Sequence, residues 1–225
     1  MKNIQLIGLI FIMLSCNASE KQVPKSVNYD LKGNVKFLSE KYFATVYNEI
    51  LDTTITYISI ANRSFDKNGH INTIKYFNED SILMLWIKFH GDGSSIQFDK
   101  DGNKQNTSKI LSVQDDILYT ETYNPSTKEL LQKSWTKYDN EQIVWQKSIR
   151  LADSLYMEDI YYRNNDGLDT LIKKKFGYEI SENYHLMNIK YRSFDVKGNW
   201  TERLEYSSND ANDYIVKRRR IEYYE

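Results

Sequence analysis

Arg63-Ser64-Phe65-Asp66-Lys67-Asn68-Gly69-His70-Ile71-Asn72-Thr73-Ile74-Lys75-Tyr76 holds the phrase on which the fold turns. Asp66 can accept backbone N–H groups two residues on, and Gly69 can take the positive φ that other residues resist, so the phrase predicts a tight turn. The aromatic before it and the alternation after it predict a strand on either side. The phrase recurs as Phe98-Asp99-Lys100-Asp101-Gly102-Asn103 and, with its Arg-Ser lead intact, as Arg192-Ser193-Phe194-Asp195-Val196-Lys197-Gly198-Asn199. A fourth copy, Tyr29-Asp30-Leu31-Lys32-Gly33-Asn34, stands earlier, and degenerate copies begin at Tyr138 and Tyr162. Separations between the four aspartates are 36, 33 and 96 residues, the last spanning the degenerate copies, so a unit is about two strands and two turns.

Further strands are expected at 35–47, 54–64, 82–89, 109–113, 117–123, 130–138, 143–150, 155–162, 170–178, 185–194 and 215–224, beside those that follow Gly69 and Gly198. No stretch sustains an apolar i, i+3, i+4, i+7 pattern, so helices should be few. The expected fold is all-β: an antiparallel repeat meander of about a dozen strands, coiled into an open solenoid-like or barrel-like sheet.

The N-terminus reads differently. Lys2 precedes a short apolar run from Ile4 to Leu14, and Ser15-Cys16 follows it. About ten apolar residues are too few for a helix to cross a bilayer, which needs about twenty, so 1–15 reads as a signal peptide. Cys16 is the only cysteine. Met13-Leu14-Ser15-Cys16 resembles the lipobox of bacterial lipoproteins, with Met13 where leucine is usual, and that resemblance implies a lipidated Cys16 at the mature N-terminus. Two or three acyl chains at about 0.8 kcal/mol per buried methylene would hold the chain at a membrane essentially permanently. Residues 17–27 are polar, contain Pro24 and read as a flexible tether, leaving 28–225 as a single domain.

Lys and Arg total 30 against 31 Asp and Glu; loss of the leader removes Lys2 alone and leaves 29 against 31, a net charge of −2. No basic excess points to nucleic acid. An exported chain without a second thiol gains nothing from disulfides. Its 18 Tyr, 9 Phe and 4 Trp beside abundant charge suit strands with one buried and one wet face.

The repeat phrase resembles the Tyr-Asp repeat class of bacterial exported proteins, and more closely small lipoproteins of the Bacteroidota. In these the folded part often opens as Leu31-Lys32-Gly33-Asn34-Val35-Lys36 does, and closes as Asp195 to Thr201 and Arg219-Arg220-Ile221-Glu222-Tyr223 do. The likeness covers both ends well and 104–190 poorly. It implies fold and address, with no catalytic residue. The address is the cell envelope, at the outer membrane by expectation; one acid in Asn17-Ala18-Ser19-Glu20-Lys21 favours a periplasm-facing anchor over surface export.

Catalytic and ligand signals are thin. Asp99 to Asn103 places oxygens at alternate positions as a calcium loop would, but Lys104 and Ile110 stand where glycine and a bidentate glutamate belong. His70, His90 and His185 fit no zinc spacing, no Gly-x-Ser-x-Gly elbow exists, and no cofactor is implied. Lys217-Arg218-Arg219-Arg220 places only two cations on each face of a strand and reads as protection of an edge. Trp86, Trp135, Trp145 and Trp200 are candidates for stacking on a sugar or peptide, with core packing as the plainer use of the same residues. The expected function is a non-catalytic envelope lipoprotein binding a protein or glycan through a sheet face, and the competing reading is a glycan hydrolase with a carboxylate pair.

Overall fold

The computed structural model describes residues 31–48, 53–140, 142–178, 184–207 and 214–225. Cys16, the signal peptide and the tether lie outside them. Fourteen strands run in chain order: β1 (Val35–Asn48), β2 (Thr53–Phe65), β3 (Ile71–Phe77), β4 (Leu83–Phe89), β5 (Ser95–Asp99), β6 (Lys104–Gln114), β7 (Ile117–Tyr123), β8 (Leu130–Asp139), β9 (Gln142–Arg150), β10 (Tyr156–Arg163), β11 (Asp169–Gly177), β12 (His185–Phe194), β13 (Trp200–Ser207) and β14 (Tyr214–Tyr223). Each pairs antiparallel with its neighbours in sequence, and β1 pairs with β14, so the meander closes into a barrel. The described residues contain no helix. Of the two shapes open to the sequence, the barrel is the one formed. The short β5, lying between two turns, is the strand that enters the phrase at Phe98 and whose bounds the sequence leaves open.

The repeated phrase builds the hairpins as its chemistry requires. At 66–70, 78–82, 90–94, 99–103, 164–168 and 195–199, the first residue's N–H donates to the fifth residue's carbonyl, and the fourth residue's N–H donates to the first residue's carbonyl. The fourth position has positive φ in each, from 63° at Ser81 to 86° at Gly102. In five of the six, an Asp or Asn at the first position accepts the fifth residue's N–H through Oδ1 at 2.8–3.0 Å. Asp99 thus spends its carboxylate on Asp101, Asn103 and Gln105, the capped turn and not a calcium loop. The degenerate copy at Tyr138 is a different, two-residue connection, with Asp139 opposite Gln142 and Asn140 at positive φ.

The first and last copies meet at the closing seam. Asn199, buried in the final turn, accepts the N–H of Lys32 and donates to the carbonyl of Lys32 and to the Tyr223 hydroxyl. Tyr223 in turn donates to Asp195. A strand at this seam has partners on both sides, which corrects the edge reading of 217–220. Arg218 and Arg220 point outwards, while Lys217 and Arg219 turn inwards into buried ion pairs.

The two faces of the barrel differ in an unexpected sense. Registers place Leu38, Glu40 and Tyr42 of β1 on one face with Arg63 of β2, Ile74 of β3 and Arg219 of β14, and almost all buried side chains share this inner face. The outer face carries a charge near the middle of nearly every strand. These include Lys75, Lys88, Lys109, Lys133, Lys147 and Lys173, with Glu121, Glu158 and Glu202 between them.

Candidate functional site in the barrel lumen

Eight strands enclose a lumen that side chains can fill, whereas sixteen leave an aqueous channel, so fourteen leave space to be partitioned. The partition follows the strands. At the end where β1 begins and β14 stops, Leu31, Val35, Leu38, Phe65, Ile71 and Ile74 form an apolar cluster backed by Tyr76, Ile87, Phe89 and Ile221. This apolar plug packs inside the barrel against β14 and β1 to β4.

Next along the strands comes a layer of buried charge. Glu40 accepts from Arg219 Nε at 2.6 Å and lies 3.9 Å from Arg63. Glu205 meets Arg203 at 2.6 Å and Lys217 at 2.7 Å, and Asp169 meets Arg163 at 3.0 Å and Arg203 at 3.7 Å. Trp200, with 0 % of its surface exposed, lies with Arg219 3.5 Å from its ring centroid on one contact and Arg203 at 4.5 Å on another. Cation–π contact accounts for an aromatic among guanidinium groups.

Burial alone would raise the Glu205 carboxyl, but Lys217 and Arg203 outweigh it and hold it at about 2. Glu40 behaves alike: burial raises it, and Arg219, Arg63 and other cations carry it far below the usual carboxylate range. For Lys217 burial dominates and lowers the ammonium pKa, opposed by Glu205.

Towards the other end the inner face becomes mainly polar, with Asp159 and Lys174 held as an ion pair. A cavity of about 300 Å³ lies against β8, β9 and β10. Its wall is a grid of cross-strand partners: Ser134 beside Ser148 beside Met157, and Thr136 beside Gln146 beside Asp159. Gln146 Nε2 donates to Asp159 Oδ2 at 2.8 Å and to the Tyr161 hydroxyl at 2.9 Å, which turns its carbonyl oxygen to the remaining side. Gln132 Nε2 donates to Ser134 Oγ at 3.0 Å. Lys174 lies 3.7 Å from Asp159, so the grid carries no isolated charge. Beyond it the inner-facing Met157 is 39 % and Phe176 69 % exposed, and His185 is exposed beside them. Among the described residues, those of the inner face are therefore most exposed at the end remote from the plug.

The four tryptophans do not share one platform. Trp86 stacks on Phe98 at 4.1 Å with 9° between rings. Trp135 tilts against Tyr119 at 5.3 Å with Lys147 above it, over a shallow groove of about 400 Å³. Trp145 donates Nε1 to Glu158 at 2.7 Å. These three stand outside and half-buried; Trp200 is inside. The outer aromatics are largely occupied by neighbours, because on a strand residues i and i+2 share a face. Tyr119 and Tyr123 both donate to Glu121, and Tyr156 donates to Glu158 with Tyr184 joining it. Among the described residues no group of His, Cys, Asp or Glu is set to hold a metal ion. His70 lies 3.4 Å from Asp66 in its turn.

The polar grid was missed in the sequence because Ser, Thr and Gln at alternate positions of β8 and β9 look like any wet strand face. Only closure of the barrel makes that face an interior.

No protein-family model matches the chain, and no curated protein does. Among solved structures it is similar to a porin-like protein from Bacteroides vulgatus at 12 % identity and a TM-score of 0.39, over 86 % of this chain and 99 % of that one. It is also similar to a LolA superfamily protein from Nitrosomonas europaea at 10 % identity and a TM-score of 0.24, over 90 % and 88 %. Likeness this slight carries nothing about activity.

Proposed function

We infer that the chain is a lipid-tethered envelope protein whose barrel stands in water as a non-catalytic binding cup. The charged waist of the outer face carries this reading. A barrel in a bilayer presents an outward apolar band about 25 Å tall, and each lysine at its midplane costs about 2–4 kcal/mol. Here lysine or glutamate recurs on the outer face of strand after strand, within the strands and not only at their ends. The apolar plug lies inside instead.

Membrane attachment then falls to Cys16, as the lipobox resemblance implies. The first strand, β1, begins at Val35 beside the apolar plug, which supports a tether joining the barrel at that end. A hydrolase would need a carboxyl group held protonated at working pH. Glu40, Glu205 and Glu158 are all displaced the other way.

Ligand capture tests the cup. Full-length protein incubated with envelope extract, washed and examined by native mass spectrometry should carry a small-molecule adduct. Ser148→Trp, which fills the lumen grid, should not. An adduct equal in both proteins, or none in either, would contradict a lumen site.

A further inference from the structure

The lumen grid has a composition that selects a ligand, and we propose that it binds a small uncharged carbohydrate, one or two sugar rings deep. This deepens the cup reading and rests on it. Its volume of about 300 Å³ stands at the lower end of ligand pockets.

The polar groups are of the kind a polyol needs. Ser134, Ser148 and Thr136 each offer a hydroxyl, and Gln146 offers an acceptor held in place by its two bonds to Asp159 and Tyr161. The Ser134 hydroxyl oxygen already accepts from Gln132, which leaves its hydrogen to donate. Neighbouring groups across the strands are spaced about 5 Å apart, comparable with the width of a sugar ring. Met157, exposed at the rim of the grid, supplies an apolar surface for the C–H face of a ring.

Charge argues the same way. Lys147 and Glu158 also border the cavity, but their side chains turn outwards to Trp135 and Trp145, so an anionic ligand inside would meet Asp159 and a cationic one the Lys174 paired with it. The more basic layer deeper in the lumen is spent on Glu40, Glu205 and Asp169. An uncharged molecule rich in hydroxyl groups is the class that leaves no group in the grid opposed.

Isothermal titration of the full-length protein with glucose, N-acetylglucosamine and lactose tests this, with glucuronate, glucosamine and benzyl alcohol as charged and apolar comparisons. At least one neutral sugar should bind saturably, and Gln146→Leu and Ser148→Ala should each weaken it, the former by about tenfold. Ser148→Ala leaves the Gln146–Asp159 contact intact and so guards against a folding defect in the other variant. Lys133→Ser, on the outer face of the same strand, should bind as the parent does. Binding of a charged or apolar probe, lost in Ser148→Trp while no neutral sugar binds, would overturn the carbohydrate assignment and keep the cup. Neutral-sugar binding unchanged in both grid variants, or no binding by any probe, would overturn the assignment too, and the extract adduct then judges the cup separately.

Discussion

At the scale of single residues, stability should rest on a few buried polar contacts. Glu205 is wholly buried between Arg203 and Lys217. Glu205→Ala leaves Lys217 buried without its carboxylate and Arg203 with Asp169 alone, and urea unfolding should show a loss of about 3–5 kcal/mol. A loss below about 1 kcal/mol would mean that water enters the layer. The same carboxylates set an acid limit. Their folded pKa values lie below the ordinary value of 4.5, Glu205 at about 2, so the folded state binds fewer protons than the unfolded chain between those limits. Their contribution is complete above pH 4.5 and is lost as pH falls towards 2. Thermal melts should be flat on this account from neutrality to about pH 5 and fall steeply below it, and Glu205→Gln should flatten the fall. Little of this layer was legible beforehand. Glu40, Arg63, Arg203, Glu205 and Arg219 sit in alternating patterns that suit a wet face, and apart from the Arg203–Glu205 pair their partners lie on other strands, up to 179 residues away in sequence.

At the scale of elements, the five-residue turn was the most legible part, because its chemistry is local. Asp, Gly and the spacing between them suffice. One turn escaped for an equally local reason, since Ser81 occupies the glycine position at 78–82, while the glycine-rich turn at 90–94 reads as a hairpin even with His90 in place of the capping acid. A non-glycine residue at φ 63° is strained, so Ser81→Gly should stabilise the barrel by about 1 kcal/mol. At φ 77°, Gly198→Ala should destabilise it by a similar amount. Denaturant midpoints check both, and equal midpoints for the two variants would contradict this reading of the turn. Asn199→Ala goes further, since it opens the seam between the first and last copies of the phrase. A loss of about 2 kcal/mol is expected by the same measurement. Closure itself was not legible, because pairing β1 with β14 is decided by residues at opposite ends of the chain.

At the scale of the molecule, sequence suggested a sheet with one wet and one buried face, and closure decides which is which. The wet face is outside, where lysines also lie over the aromatics: Lys147 over Trp135 and Tyr156, Lys173 over Tyr162, Lys175 over Tyr184. The inner face holds a plug, a charge layer and a polar cavity in succession. On the proposed reading the barrel is held at a membrane by Cys16. With Cys16 acylated, a cysteine placed elsewhere is the sole free thiol, so Lys133→Cys and Lys173→Cys report directly on what surrounds the waist. In opened envelope preparations, a membrane-impermeant maleimide should label both positions as fast before detergent is added as after. Protection of both until detergent dissolves the bilayer would show a waist embedded in lipid and would contradict the water-facing cup.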